Sequence, residues 1–311
     1  MEPLPLHIID LAQIRRTLVY SGVIDRMREA LIAHSRGECD TPMPMHLDIP
    51  PDGEVHVKSS CRKGGGYFVV KVASTFPANA ERGLPTGSGM MLLFSAQTGG
   101  PIALLADDGH LTDVRTAAVS AMVARELGRR DSAIGILGTG IQARLQARMH
   151  AEVLPLRTVW VWGRSRDRAE AFRAELGDLA DVRIAGSPAE VAREVRLVVT
   201  ATASRNPLLF DGDIREGTLI SAVGADGPGK QELDPGILRR ASLLLVDSLR
   251  QCERLGELQH AASERERAVE IGTFCQSGRD EDSAGTVVCD CTGLGVEDLY
   301  IAEYCYERSA T

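Results

Sequence analysis

Long apolar runs, aromatic residues and lysines are scarce in this chain of 311 residues. The longest apolar runs, such as Leu243–Val246, are far too short to cross a bilayer, so we expect no membrane partner. The formal net charge is −8, from 35 basic and 43 acidic residues, which argues against general binding to nucleic acid. With 44% apolar and 25% charged residues, the composition is that of an ordinary soluble globular protein.

Cysteine is used sparingly and without the spacing of a metal site or a disulfide framework. The seven cysteines are irregularly spaced, no C-x-x-C pair occurs, and Cys289 and Cys291 are too close for an ordinary zinc knuckle. We therefore expect reduced thiols buried as small hydrophobic groups, and no metal site. Because the first residues show neither a basic segment nor a cleavage site for secretion, we expect a cytoplasmic protein.

Only four lysines accompany 31 arginines, at positions 58, 63, 71 and 230. Lysine differs from arginine in being a compact ammonium whose pKa shifts readily on burial. Where a plain positive charge is enough, this sequence uses arginine. Each lysine therefore marks a position to examine for function.

The first hundred residues show mainly antiparallel β patterns. A short strand is predicted at 7–10, apolar residues then recur at helical spacing from Ile14 to Ile32, which predicts one helix, and a proline-rich segment follows. Four more runs have the alternation of strands, and the last two are joined by turn residues, which predicts a hairpin. These four strands are predicted at 54–60, 67–74, 89–95 and 101–105.

The pattern changes after an alanine-rich helix that is predicted from Thr112 to Leu127. Strands then alternate with helices, which predicts a parallel sheet with helices on both faces. A last helix is predicted from Val296 to Arg308. The strands of this alternating part are predicted at 133–137, 158–162, 197–201, 219–223 and 243–247.

The first of these alternating strands leads directly into a G-x-G-x-x-A motif, formed by Gly138, Gly140 and Ala143. In a strand–turn–helix context, this motif is typical of a dinucleotide-binding Rossmann domain. Gly138 permits a tight turn, Gly140 lets the backbone approach a pyrophosphate, and Ala143 allows close packing of helix on strand. The predicted cofactor-binding loop comprises Gly138, Thr139, Gly140, Ile141 and Gln142.

The end of the second alternating strand bears on the choice between NAD and NADP. An acidic residue there would bind the ribose 2′-hydroxyl of NAD, but this chain has Arg164, Ser165 and Arg166 instead. Two guanidinium groups and a hydroxyl suit a 2′-phosphate, so the sequence favours NADP as cofactor. The alternative is that these arginines form a solvated face beside the adenine of NAD.

Five segments resemble the ornithine cyclodeaminase/mu-crystallin family, in the right order along nearly the whole chain. The resemblance implies an α/β fold in which a Rossmann domain, residues 116–291, is inserted into a split α+β domain for substrate binding and dimerisation. The split domain comprises residues 1–115 and 292–311, and the family implies a homodimer. The matching segments are 68–74, 111–120, 138–143, 222–233 and 292–298.

The resemblance indicates three candidate catalytic residues. Lys71 lies in a predicted strand between apolar neighbours, where a charge is unfavourable without an anionic partner. In the family, this position binds the substrate carboxylate next to the reacting carbon, and Arg115 matches a second carboxylate ligand. Asp226 follows a strand of the parallel sheet at its carboxyl end, where ligands of such sheets bind, and matches an acid that holds the substrate amine.

The chain departs from the family pattern in the proline-rich segment. The family usually has an arginine there as a further carboxylate ligand, whereas this chain has His46. Lys58 is the candidate to supply the missing charge, because strand alternation places it on the same face as His56. If that face lines the pocket, His46 and Lys58 bind a second carboxylate of the substrate. The alternative is a solvated strand face.

Membership of the family does not settle the reaction, because the family includes imine reductases, alanine dehydrogenases and a cyclodeaminase. Segments 47–58 and 256–261 most resemble its ectoine-utilisation branch, close to iminosuccinate reductases. This predicts an NAD(P)H-dependent imine reductase that forms an amino acid from a cyclic or dicarboxylic imine. The alternatives are an ornithine cyclodeaminase, an alanine dehydrogenase-like enzyme, and a non-enzymatic binding protein. Further cofactor contacts are predicted at Thr202, Val223, Gly224, Thr292 and Gly293.

Overall fold

A computed structural model describes residues 6–277 and 285–309 of the chain. The chain forms two compact units. Residues 1–115 and 294–311 form one of them, which we call the split unit, and residues 116–293 form the central unit.

The elements follow one another in the order of the two patterns found in the sequence. Those up to residue 126 are β1 (His7–Asp10), α1 (Leu11–Thr17), α2 (Tyr20–Ser35), β2 (Cys39–Asp40), β3 (Met45–Ile49), β4 (Gly53–Arg62), β5 (Tyr67–Thr75), β6 (Gly87–Ser95), β7 (Pro101–Ala106) and α3 (His110–Glu126). The remaining ones are β8 (Ala133–Leu137), α4 (Ile141–Ala151), β9 (Thr158–Trp162), α5 (Arg166–Leu176), β10 (Asp181–Ile184), α6 (Pro188–Glu194), β11 (Leu197–Thr200), β12 (Arg205–Leu209), β13 (Leu219–Ala222), β14 (Gln231–Leu233), α7 (Pro235–Arg240), β15 (Leu243–Val246), α8 (Leu249–Leu255), β16 (Ala268–Glu270), α9 (Ile271–Ser277), β17 (Val287–Asp290) and α10 (Gly295–Ser309).

The split unit is built on a seven-stranded sheet with helices on one face. The strand order is β1-β7-β6-β5-β4-β2, and β3 pairs with β4 beside β2. β1 pairs with β7 in parallel, and the other pairings among the described strands are antiparallel. α10 packs against α2 and against β4, β5 and β6. The last helix of the chain therefore covers the sheet formed by its first hundred residues.

One row of directly paired residues crosses this sheet. The row begins with buried apolar residues and ends with two lysines. Ile9, Leu105 and Met91 are fully buried, and Lys71 and Lys58 continue the row in register. Directly paired residues point to the same face of a sheet. Lys71 and Lys58 therefore share the face on which the buried apolar residues lie.

The opposite face of the same sheet exposes apolar side chains. Met45 and Leu47 of β3 are 52% and 46% exposed, and Met90 of β6 is 46% exposed. Met45 belongs to a second row of paired residues that continues through Val57 and Val72 to Met90. A contiguous apolar surface of this kind is typical of a face that another protein covers.

The predicted single helix from Ile14 to Ile32 is wrong, because the structure breaks it at Leu18 and Val19. Both residues are extended, and α1 ends at Thr17, whose hydroxyl donates to the carbonyl of Gln13. A threonine that bonds back to the preceding turn competes with continuation of a helix. Apolar spacing continues across the break, and for that reason periodicity alone does not reveal it.

The central unit confirms the predicted α/β fold. Its eight-stranded sheet has the order β10-β9-β8-β11-β13-β17-β15-β16, and all its described pairings are parallel. The strand order reverses between β8 and β11, which is the switch point where ligands of doubly wound sheets bind. The five strands predicted for this part begin at the predicted residues.

β17 is a strand that the sequence pattern did not reveal. It lies between β13 and β15, and its residues Val287, Val288, Cys289 and Asp290 are buried. An aspartate at the end of a fully buried strand hides the apolar pattern. The structure accommodates it because backbone N–H groups of Glu257 and Leu258 donate to its two carboxylate oxygens.

Candidate active site

The central unit contains a cavity of about 490 Å³ at the carboxyl ends of β8, β9 and β11. This is the switch point of the sheet, and the glycine-rich loop before α4 forms one wall. A helix N-terminus at this place is suited to phosphate. The cavity is lined by Gly138, Thr139, Gly140, Trp162, Gly163, Arg164, Ser165, Arg168, Ala201, Thr202, Ala203, Ser204 and Leu208.

The two glycines of the motif have the geometry that dinucleotide binding requires. Gly138 has a φ of +124°, and a Cβ there would lie 2.5 Å from the carbonyl oxygen of Ala201. A side chain is therefore excluded at Gly138 by both backbone strain and a backbone clash. A Cβ at Gly140 would meet nothing within 4 Å, so this loop leaves open space for a phosphate to approach the backbone.

The arginines after β9 divide into two groups. Arg164 lines the cavity together with Arg168, whereas Arg166 is largely exposed and pairs with Glu170 of its own helix. Ser165 lines the cavity as well, and its hydroxyl caps α5 by accepting from the N–H of Arg168. In the part of the chain that the structure describes, no acidic residue lines this cavity.

Four buried acids tie together backbone segments at this edge of the sheet. They are Asp247, Asp290, Glu257 and Glu232, and each accepts at least two backbone N–H groups, which for Glu257 come from β14 and for the other three from segments outside the strands. Burial, together with the nearby carboxylates of Asp290 and Glu232, raises the pKa of Glu257 to about 9, against the opposing effect of its hydrogen bonds. Burial likewise raises the pKa of Glu232 to about 7, against the opposing effect of its hydrogen bonds.

The remaining predicted cofactor residues lie in these tied loops. Thr202 lines the cavity and donates its N–H to Glu232, which also accepts from the N–H of Gly224. Thr292 and Gly293 are buried and donate their N–H groups to Asp247. Val223, Gly224, Thr292 and Gly293 are not among the residues that line the cavity. Ile141 and Gln142, at the start of α4, are not among them either.

Asp226 lies in the loop after β13, as the sequence predicted. Its carboxylate is half exposed and accepts a hydrogen bond of 2.6 Å from the ammonium of Lys230. The structure thus places Asp226 beyond the carboxyl end of a central strand, but Asp226 is not among the residues that line the cavity.

Lys71 and Arg115 form a buried ion-pair network in the split unit. The ammonium of Lys71 lies 2.8 Å from the carboxylate of Asp298, and Arg115 Nη1 donates to Glu297 Oε2 over 2.6 Å. Arg115 Nε is also 3.2 Å from Asp298 Oδ1. Lys71 is 2% exposed and Arg115 3% exposed, so both cations are held away from bulk water.

The burial of this network shifts its titration. Burial lowers the pKa of Lys71 to about 7, although the carboxylate of Asp298 favours the ammonium form. Burial alone would raise the pKa of Asp298, but the nearby cations of Lys71, Arg115 and Lys58 lower it. The network therefore contains an ionised carboxylate beside a lysine that is able to change its charge near neutral pH.

Two acids next to the network, Asp107 and Asp113, have raised pKa values. Burial raises the pKa of Asp107 to about 6, and hydrogen bonds from backbone N–H groups, such as that of Leu111, oppose the shift. Burial also raises the pKa of Asp113 to about 6, with Arg115 opposing. These acids add to the titratable groups that surround Lys71.

The structure brings His46 close to His56, and Lys58 close to Lys71. His46 and His56 are directly paired on β3 and β4, with ring centroids 4.7 Å apart. His46 Nε2 lies 2.9 Å from Asp48 Oδ1. Lys58 is directly paired with Lys71, and its charge acts on Asp298.

Sequence reasoning missed three residues of these sites. Asp298 and Glu297 are the anionic partners that the buried cations require, and they lie in the first turn of α10. A buried lysine indicates that such a partner exists, but only the tertiary fold identifies it. Arg168 was missed because the first turn of α5 returns it to the cavity, whereas Arg166 points to Glu170.

The glycine-rich turn, the switch-point cavity and the parallel sheet define a Rossmann-fold protein of the dinucleotide-binding class. Residues 7–311 match the ornithine cyclodeaminase/mu-crystallin family, and the chain belongs to this family. The resemblance found in the sequence is therefore confirmed. No helix within residues 6–277 and 285–309 is both long enough and apolar enough to cross a membrane.

Curated relatives cover most of the chain. The uncharacterized cyclodeaminase y4tK of Sinorhizobium fredii is 39% identical over 280 residues, which is 86% of this chain and 84% of the relative. An alanine dehydrogenase of Archaeoglobus fulgidus is 31% identical over 97% of this chain and 94% of its own. A Δ1-pyrroline-2-carboxylate reductase of Bacillus cereus is 30% identical over 81% of each chain.

Solved structures of similar proteins contain nicotinamide cofactors. An archaeal alanine dehydrogenase dimer with bound NAD is 29% identical, with a TM-score of 0.89 over 98% of this chain and 96% of its own. The Δ1-pyrroline-2-carboxylate reductase of Thermococcus litoralis with NADH and L-proline is 26% identical, with a TM-score of 0.91 and 98% coverage of both chains. The iminosuccinate reductase of Paracoccus denitrificans with NAD+ is 25% identical, with a TM-score of 0.87 over 98% and 96%.

Asp298→Asn removes the carboxylate that pairs with Lys71 inside the split unit. We expect the free energy of unfolding, measured by urea unfolding, to fall by about 3–5 kcal/mol, the usual effect of removing one partner from a buried ion pair. The double variant Lys71→Met/Asp298→Asn should regain most of this loss, because Lys71 is then no longer an unpaired charge. Equal losses in the single and double variants would contradict this account.

Proposed function

We propose that the protein is a nicotinamide-dependent imine reductase that converts an imino acid into an amino acid. The observation that supports this most strongly is the buried pair of cations, Lys71 and Arg115, each held by a carboxylate of α10. Preorganised cations of this kind bind a small carboxylate and fix the carbon next to it. The relatives and structural neighbours include reductases of imino acids.

The central unit, on this proposal, binds the cofactor. Gly138, Gly140 and the N-terminus of α4 suit the pyrophosphate, and Arg164 with Arg168 suits the adenosine ribose and its phosphate. When bound, the nicotinamide supplies the hydride that reduces a C=N carbon. The tied loops that contain Thr202, Gly224 and Thr292 shape this edge of the sheet through their bonds to buried acids.

The split unit binds the substrate carboxylate. Lys71 and Arg115 are the ligands, and Asp298 and Glu297 hold their side chains in place. Asp226 of the central unit gives up its contact with Lys230 and binds the iminium nitrogen instead, so that its carboxylate stabilises the positive charge of that nitrogen. The same carboxylate keeps the proton on the nitrogen or returns a proton to it. These roles make Lys71, Arg115 and Asp226 catalytic residues and make Asp298 and Glu297 positioning residues.

We further propose that a dicarboxylic imino acid is among the substrates. Lys58 is paired in register with Lys71 on the same sheet face and is partly exposed, so it provides a cation for a second carboxylate. His46 is less suited to this role than Lys58, because Asp48 already lies against its Nε2. A cyclic imino acid, which has one carboxylate, would use Lys71 and Arg115 alone.

A cyclodeaminase is the second candidate, because the relative with 39% identity is named as one. Such a reaction uses the same carboxylate and amine ligands but returns the hydride to the product. The cofactor is then unchanged at the end of each turnover. Net consumption of reduced cofactor therefore distinguishes the two reactions.

Turnover should consume reduced coenzyme when a cyclic imino acid, or the imine formed from oxaloacetate and ammonia, is supplied. We expect nicotinamide absorbance to fall with the wild type, and expect Lys71→Ala and Asp226→Ala to lower kcat about 10²–10³-fold, the usual effect of losing one preorganised charge. Lys63→Ala, which removes an exposed lysine bonded to the carbonyl of Gly37, is the matched control. Ammonia release from ornithine without net coenzyme change would contradict the reductase proposal.

We propose that NADPH is the preferred coenzyme, because Arg164 and Arg168 line the cavity and no acid does among its described lining residues. One charge-assisted bond contributes about 1.5–3 kcal/mol, which corresponds to about a ten- to hundredfold preference in kcat/KM. Arg164→Asp should reverse the preference by adding a ribose ligand and a repulsive charge. Arg166→Asp is the control and should leave it unchanged. A wild type that prefers NADH, with no effect of Arg164→Asp, would contradict this assignment.

The lowered pKa of Lys71 predicts a fall in kcat/KM as the pH rises through about 7. Below that pKa, the ammonium binds the substrate carboxylate, whereas above it the neutral amine binds weakly. In the Lys71→Arg variant, the guanidinium stays charged, so the kcat/KM of the residual activity should no longer fall as the pH rises through about 7. An unchanged pH profile in Lys71→Arg would show that another group titrates there.

We propose that the protein is a homodimer that buries the exposed apolar face of the split-unit sheet. A structural neighbour is a dimer, and Leu47 and Met90 of this face are each 46% exposed. Leu47→Asp/Met90→Asp should shift the sedimentation coefficient from that of a dimer to that of a monomer. Phe210→Asp, which changes an exposed phenylalanine of the central unit, is the control. A monomeric wild type would contradict the proposal.

A further inference from the structure

Four metal-ligating side chains share one face of the β3–β4 hairpin in the split unit. His46 is directly paired with His56, and Asp48 is directly paired with Glu54. The two pairs are two residues apart on each strand, so strand alternation directs all four side chains to the same face. The backbone pairing therefore builds a square of two imidazoles and two carboxylates.

The side chains of this square already lie close together. The ring centroids of His46 and His56 are 4.7 Å apart, and one ligand atom from each of His46, Glu54 and His56 lies within 4.8 Å of the others. His46 Nε2 is 2.9 Å from Asp48 Oδ1, and His56 Nε2 is 3.6 Å from Glu54 Oε2. Each imidazole therefore has a carboxylate beside its Nε2 atom.

We propose that His46, His56 and Glu54 form a binding site for one divalent transition-metal ion such as Zn²⁺ or Co²⁺, with Asp48 as a further ligand or as the partner that orients His46. Two neutral imidazole nitrogens with a carboxylate are a donor set that such ions prefer over Mg²⁺ or Ca²⁺. An ion with bonds of about 2.0–2.2 Å in tetrahedral geometry would hold its ligand atoms about 3.4 Å apart. The required movement is small, and the side chains are partly exposed, so rotamer changes suffice.

The charges of the square favour a cation over an anion. An anion bound between the two imidazoles would be repelled by Asp48 and Glu54, which lie next to their Nε2 atoms. The nearest lysine on the same strand face, Lys58, belongs to the adjoining row and acts on Asp298 of the buried network. The metal site is thus separate in its ligands from the carboxylate-binding cations, and the proposal does not depend on the proposed reductase function.

Metal binding is measured on the full chain, free of affinity tag and dialysed against a chelator, without coenzyme or substrate. Titration with Co²⁺ should show one equivalent bound, with a d–d absorption band that identifies nitrogen and oxygen ligands. His56→Ala and Glu54→Gln should each weaken binding at least about tenfold, whereas His7→Ala, a histidine elsewhere in the split unit, should leave it unchanged. Zn²⁺ should raise the melting temperature of the wild type and of His7→Ala, but not of His56→Ala, because ligand binding stabilises the folded state.

Several results would overturn the proposal. Absence of stoichiometric Co²⁺ binding would do so, and so would equal affinity in the wild type, His56→Ala and Glu54→Gln. A thiolate-to-Co²⁺ charge-transfer band would show that the chain binds the ion through cysteines instead. Far-UV circular dichroism of each variant checks that the loss of binding is not a loss of fold.

Discussion

The burial of two cations in the split unit is the requirement on which much of this structure depends. Lys71 and Arg115 are almost fully buried, and buried positive charges are tolerated only beside an anionic group such as a carboxylate. Asp298 and Glu297 supply these carboxylates from the first turn of α10, so the chain must return from the central unit to complete the split unit. Gly295 permits this return, because a Cβ there would lie 2.4 Å from the carbonyl oxygen of Ser59.

In the central unit, several of the buried ionisable groups are acids rather than cations. Its buried acids accept backbone N–H groups from neighbouring segments, so the backbone and the acids satisfy one another. These bonds hold the edge of the sheet where the cavity lies. Preorganised loops at this edge suit a reaction in which the nicotinamide ring must be held in one orientation.

Local patterns in the sequence predicted the parallel sheet, the glycine-rich turn and the start of five strands, because each depends on residues that are adjacent along the chain. Features that the local apolar pattern hides, or that depend on distant residues, were not predicted. The break at Leu18 and Val19 is hidden by continuous apolar spacing, and β17 is hidden by its terminal aspartate. The partner of Lys71 lies at the other end of the chain, so the sequence indicated a need for Asp298 without identifying it.

The central claim is that Lys71 and Arg115 hold the carboxylate of an imino acid while its C=N carbon accepts a hydride. Transfer of deuterium from reduced coenzyme that carries deuterium at both C4 positions of the nicotinamide tests this claim most directly, with mass spectrometry of the amino acid as the readout. The account predicts one deuterium on the α-carbon of the product and an equal amount of oxidised coenzyme. An amino acid without deuterium, formed while the coenzyme stays reduced, would contradict it.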